Sequence, residues 1–172
     1  MKMKSLFIFI ISPFLFIFSC KTLFSDEKLT LQKRDYTGKE LKTEGYYYAY
    51  FSQTDITAVL FLYRNGIVLS EGGYSSKNLD VIEKKIINGN FKSKEHWGVF
   101  IVEGNKIQWE RWIGSTGIGA CLSKSTGYIL NDTTIRFTER YNSEYKTTSS
   151  IDEVWHFKQF SPKPDSTNRF IP

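Results

Sequence analysis

Histidine and cysteine are scarce in this chain, with two of each among 172 residues. A zinc centre wants about four such ligands at close spacing, and His96, His156, Cys20 and Cys121 are too few and too scattered to supply one. Nothing in the spacing brings Cys121 to His156 as a thiolate and its base, and the flanks of Cys121 match no nucleophile signature. The glycines at 114, 117 and 119 are followed by no lysine in P-loop register and sit in no βαβ unit. Ser143 and Lys146 match S-x-x-K by spacing, but near a hairpin end and not on a helix. Glu103 with Glu110, and Glu139 with Glu153, could meet across strands, yet charged strand residues usually face water. Lysines are spread along the chain and not clustered with aromatics on one element, so the footprint of a nucleic-acid binder is missing. No long apolar run is present either, because residues 6–18 fall short of the roughly 20 needed for a span and Pro13 interrupts them. No enzyme, catalytic residue, metal, cofactor or nucleic-acid partner is therefore expected.

What is present begins with the first twenty residues. Lys2 and Lys4 precede the apolar stretch, and Ile17, Phe18 and Ser19 lead directly into Cys20. This resembles the lipobox leader of bacterial lipoproteins, in which an aliphatic residue stands three places before the cysteine and a small one just before it. The resemblance implies that residues 1–19 are a signal peptide, that the Cys20 thiol carries a diacylglycerol, and that the chain is held on a membrane through it. Each buried methylene adds about 0.8 kcal/mol and stable anchoring takes about two chains, so a diacylglyceryl group suffices. It places the protein in the cell envelope, at the outer membrane, on the periplasmic or the surface side. The other readings are an ordinary cleaved signal peptide or a spanning helix, with Cys20 incidental. Removing the leader takes away two lysines and no acid, so the formal charge falls from +5 to +3. Cys121 is then the one remaining thiol, and stability must come from a core. The 153 residues left fit one domain.

Residues 20–44 mix both charges and hold little large apolar content beyond Leu23, Phe24, Leu29, Leu31, Tyr36 and Leu41. They read as a tether, which as a flexible coil spans on the order of 25 to 30 Å. The alternative is that Leu29 and Leu31 start an additional edge strand.

From Gly45 to the end the pattern is that of an antiparallel sheet. Residues 46–51 are an aromatic run, and residues 56–63 are apolar and β-branched before Asn65-Gly66, the strongest short hairpin signal. A second hairpin joins 97–103 to 106–113 through Gly104-Asn105, a third joins 128–130 to 133–141, and a last strand over 153–160 stops at Pro162 and Pro164. Both faces of 56–63 are apolar, so its outer side is expected to be covered. Leu79, Ile82, Ile86 and Ile87 recur at helical spacing, with Gly89 where a C-terminal cap would stand, giving one amphipathic helix.

Eight short strands in tight succession favour a closed up-and-down barrel, which leaves no exposed edge. The strand order, the Arg64-Asn65-Gly66 turn and the hairpin from Trp97-Gly98 through Gly104-Asn105 to Trp109 resemble the lipocalin-like domains of small Gram-negative lipoproteins. The resemblance implies a mainly β, antiparallel eight-stranded barrel over residues 45–172 with one short helix. It also implies a small apolar or amphipathic ligand, with Tyr46, Tyr48, Tyr50, Trp109 and Trp155 as wall residues. The competing reading is a structural or protein-interaction lipoprotein whose barrel is filled. A cavity inside the sheet favours the first, and a packed interior favours the second.

Overall fold

The computed structural model describes residues 27–116 and 119–172. The leader, Cys20, residues 21–26 and Gly117 lie outside the described residues. Eight strands run in chain order: β1 (Gly45–Phe51), β2 (Ile56–Leu62), β3 (Ile67–Tyr74), β4 (Trp97–Glu103), β5 (Lys106–Gly114), β6 (Ala120–Asn131), β7 (Thr134–Asn142) and β8 (Thr147–Gln159). All neighbours are antiparallel, and β1 pairs with β8 through Gly45↔Gln159 to Tyr48↔His156, so the sheet closes into the expected barrel.

Alternation along the strands yields two cores, one on each face of the sheet. Inside the barrel sit Tyr47, Ala49, Leu60, Leu62, Val68, Phe100, Ile107, Trp109, Ile135, Phe137 and Trp155. On the outside, Tyr46, Val59, Phe61, Ile67, Leu69, Val99, Trp112 and Leu122 form a second cluster. It is covered by Ile82 and Ile86 of helix α1 (Leu79–Ile87), by Leu29 and Leu31, and by Phe160, Phe170 and Ile171 near the C-terminus. The doubly apolar β2 thus has its outer side packed beneath the helix, as its composition requires. Asn78 starts α1, its Oδ1 accepting from the Asp80 N–H at 2.9 Å. Asn88 is the C-cap, and Gly89 donates its N–H to the Ile86 carbonyl.

The expected tether is largely a strap. Residues 27–44 lie against the barrel without forming a strand, so neither a loose linker nor an edge strand describes them. The Glu27 N–H donates to the Ala120 carbonyl at 3.1 Å, and the Trp112 indole donates to the Glu27 carbonyl at 2.6 Å. Glu110, on the outer face of β5 and 1% exposed, then accepts from Thr30 N, Thr30 Oγ1 and Leu31 N at 2.6, 2.8 and 2.9 Å. Farther on the strap crosses the β2–β3 turn, where Gly66 has a φ of 77°. A Cβ there would meet the Arg34 carbonyl oxygen at 2.1 Å, so only glycine allows both the turn and the close passage. Tyr36 and Leu41 finally close one end of the barrel, Tyr36 stacking obliquely on Phe100 at 5.7 Å and accepting at its hydroxyl from the Leu41 N–H. The sequence hides this arrangement because the strap's apolar residues have no period; each is placed by what it meets on the barrel.

The C-terminal segment seals the same end. Lys163 Nζ donates to the Thr43 and Leu62 carbonyls and lies 4.2 Å from the Tyr63 ring centroid. The Tyr63 hydroxyl donates to the Pro164 carbonyl at 2.8 Å. Burial pulls the Lys163 ammonium from 10.5 down to about 8, against Glu44 and with a push from Arg64 in the same direction. Between those values the unfolded chain binds more protons than the folded one, so this group's contribution to stability rises with pH. Below about pH 8 both states hold the proton and the burial penalty is fully present. Denaturant midpoints measured at pH 7.5 and 9.5 are therefore expected to rise in the wild type relative to Lys163→Met; parallel curves would refute the coupling.

Candidate functional site

The two ends of the barrel differ because the strand ends carry different residues. At the end closed by Tyr36 and Leu41, the interior is filled by aromatic and branched side chains. Phe137 is 0% exposed and lies edge-on to Trp155 at 6.2 Å and tilted to Trp109 at 6.3 Å. The opposite end is rimmed by the β1–β2, β5–β6 and β7–β8 turns and by the β3–α1–β4 connection, and its inward positions turn polar. We call it the mouth. The same alternation that places Ile107 and Trp109 inside carries Arg111 inward on β5. Register sets Ser123 opposite Arg111, and Ser125 opposite both Trp109 and Arg140. Glu153 pairs with Phe137 from β8 and faces the same way.

These side chains form one network. Arg140 Nη2 donates to both carboxylate oxygens of Glu153 at 2.8 Å, and its Nε lies 3.4 Å from the Ser125 hydroxyl. The Trp155 indole donates to Glu153 Oε2 at 3.3 Å. Arg111 Nη1 donates to the Glu95 carbonyl at 3.1 Å, and its guanidinium lies 5.8 Å from the Trp109 ring centroid. Burial, and then the nearby charge of Arg140, hold the Arg111 pKa below the usual arginine value. Trp109 is 5% exposed, and its buried Nε1–H has no hydrogen-bond partner among the described residues. Ser70 and Ser125 are buried as well.

Of the wall residues expected from sequence, Trp109 and Trp155 do face the interior. Tyr46, Tyr48 and Tyr50 do not: the β1 register turns them outward and sends Tyr47 and Ala49 inward. Tyr46 is fully buried in the outer core and donates its hydroxyl to Glu83 of α1 at 2.9 Å. Tyr48 packs beside His156, and Tyr50 donates to Asp55 at the surface. An aromatic run with both faces buried carries no signal of which face is inside, so one step of register reverses the assignment. Arg111 and Arg140 were missed, and Glu153 was set aside, because charged strand residues usually point to water; Ser125 carries no pattern that marks it. The signal that could have found them is that Arg111 shares its face with Ile107 and Trp109.

The scattered candidates for chemistry have other positions. Cys121 opens β6 at the mouth, whereas His156 lies on the outer face of β8 near the closed end. Burial, followed by Glu144 and Glu27, raises the Cys121 thiol above its ordinary value, which disfavours a thiolate. The Ser143 hydroxyl accepts from the Leu122 N–H at 2.8 Å and so serves the β7–β8 turn. Glu139 pairs with Thr126 on the outer face while Glu153 is inside, and Glu103 is bound to Arg34 at 2.8 Å. His96 Nε2 meets Glu71 Oε2 at 2.9 Å, and its buried Nδ1 is unpartnered among the described residues. Among those residues no group of three or more potential metal ligands occurs.

Outside the barrel, a groove of about 490 Å³ runs between Phe91, Lys92 and Trp97 on one side and residues 167–170 on the other. A pocket of about 220 Å³ lies under the strap beside Tyr36 and Phe100. No family model matches the chain, and neither the curated proteins nor the solved structures contain a match to it.

Proposed function

We propose that the protein is a lipid-anchored envelope lipoprotein with a lipocalin-like barrel, and that the mouth of this barrel binds a small amphipathic molecule. The observation that carries the reading is the division of the interior. Side chains fill the end closed by Tyr36 and Leu41, while the mouth holds two inward arginines, one carboxylate, buried serines and an indole N–H without a partner among the described residues. A barrel needed only as a scaffold gains nothing from turning Arg111 and Glu153 into a partly desolvated interior, because a charge taken from water costs free energy unless it is fully paired.

The anchor is supported by the sequence leading into Cys20. It has a geometric consequence: Glu27 is pinned to Ala120 and Trp112 at the mouth end. Six residues lie between it and Cys20, and the seven chain steps reach at most about 25 Å fully extended. A lipid on Cys20 therefore keeps the mouth close to the bilayer, where amphipathic molecules are concentrated. No catalytic role is assigned, because the described residues of the mouth offer no nucleophile paired with a base.

The second reading, a structural or protein-interaction lipoprotein, is favoured by one observation, the close packing of the interior around Phe137. Organic extraction of the purified protein followed by mass spectrometry separates the two. A reproducible small amphipath is expected; an empty extract, with no shift of thermal stability across a lipid panel, would select the second reading. For the anchor, Cys20→Ala is expected to move the protein from the detergent-rich to the aqueous phase on partitioning, and unchanged partitioning would refute it.

A further inference from the structure

We propose that Arg111 anchors an anion site inside the mouth, which takes the compact oxyanion of a carboxylate or a phosphate; this rests on the binding-module reading above and names the chemistry that its mouth selects. Two guanidiniums face the interior of the mouth, from β5 and from β7, and one carboxylate, Glu153, lies on the same face. Glu153 is engaged through both of its oxygens by Arg140 and again by the Trp155 indole. Arg111 donates to a backbone carbonyl, that of Glu95, and the Glu71 and Glu95 carboxylates act on it through their charge, but no carboxylate within ion-pair distance of it is found among the described residues. The neighbouring acid on β3, Glu71, is held by His96 Nε2 at 2.9 Å. A guanidinium presents five N–H donors in a planar fork suited to a two-oxygen acceptor, and only one donor of Arg111 is engaged by that carbonyl.

The second observation is the Trp109 indole. It lies two residues before Arg111 on the same inward face, is 5% exposed, and has an Nε1–H with no partner among the described residues. A buried donor without an acceptor is rare in a folded chain and calls for an explanation. An oxyanion beside Arg111 supplies an acceptor and also offsets the repulsion between Arg111 and Arg140. The Ser125 hydroxyl stands opposite Trp109 in the register. Phe51 and Ile151 pack partly buried against the interior core and supply an apolar flank for a short tail.

The test is a titration of the full protein, held in nanodiscs of neutral lipid, with acetate, inorganic phosphate, octanoate and octanol. The indole and arginine N–H resonances are followed by NMR. Octanoate is expected to shift the Trp109 Nε1–H and Arg111 Nε–H signals saturably, while octanol leaves them in place. Arg111→Gln is expected to weaken octanoate binding about tenfold or more, the loss typical of a charged hydrogen bond, and Arg111→Lys to weaken it less. Acetate or phosphate binding as tightly as octanoate would identify a free small anion; a clear preference for octanoate would identify the head of an amphipath, and either result upholds the site. Absence of a saturable shift with all three anions, or equal octanoate affinity in Arg111→Gln, would overturn it. Because the shifts are read on the wild type, a misfolded variant does not blunt the test. Saturable binding of octanol alone would sink the anion site while leaving the binding module standing.

Discussion

Glu110→Ala is expected to detach the strap and to lower the stability of the whole domain by several kcal/mol. This carboxylate is 1% exposed and accepts three hydrogen bonds from Thr30 and Leu31, residues eighty positions away in the chain. Hydrogen bonds to a charged group are worth about 1.5 to 3 kcal/mol each, with strong non-additivity, so a loss on the order of 3 kcal/mol is a conservative figure. The consequence goes beyond the three bonds. Without them Leu29 and Leu31 lose their hold on the outer core beside Trp112, and the contacts of Glu27 with Ala120 and Trp112 have no support on their C-terminal side. Hydrogen exchange should show the Thr30 and Leu31 amides becoming fast together with neighbours on β5 and β6. Limited proteolysis should cut within residues 28–35 before the barrel is touched. Glu110→Gln keeps the shape but removes the charge and one acceptor, and should fall between the two. Wild-type exchange at Thr30 in the alanine variant would show that the strap is held by something other than this carboxylate.

Phe137→Ala should produce the other large effect. The ring is fully buried between Trp109 and Trp155 in the filled part of the barrel. Truncating such a ring costs about 3 to 5 kcal/mol, as lost transfer free energy and as a cavity the neighbours cannot collapse. For a domain of this size a kcal/mol moves Tm by about 2 to 4 °C, so a drop on the order of 10 °C is expected by calorimetry. The variant also bears on function. Space opened beneath the mouth should let longer tails enter, so the proposed binding of octanoate should extend to longer fatty acids that the wild type takes less well. A Tm within about 2 °C of the wild type would mean that the interior is less tightly filled than its exposures indicate.

Much of the fold could be read from residues alone. Asn65-Gly66 and Gly104-Asn105 marked their hairpins because a tight turn needs a residue tolerant of positive φ, and Gly66 and Gly104 have φ of 77° and 62°. The spacing of Leu79, Ile82 and Ile86 marked the helix because a nine-residue stretch with one apolar stripe has little other use for that period. Eight such strands with short turns leave closure as the way to pair both edges. Strand lengths were less legible: β6 begins at Ala120, well before Tyr128, and β8 at Thr147, well before Glu153, because their first halves are polar and sit at the mouth.

The order of the strands, the turns, the single helix and the closed sheet follow from the residues alone, since these depend on local backbone preference and on alternation within a few residues. Three features appear only once the chain is folded: which face of β1 is inside, where the strap lies, and that Arg111, Arg140 and Glu153 share one interior. Each of these is set by pairing between residues distant in sequence. A period of two fixes that side chains alternate but not which set faces in. A charge on a strand acquires its meaning only when the barrel closes and turns the opposite wall toward it.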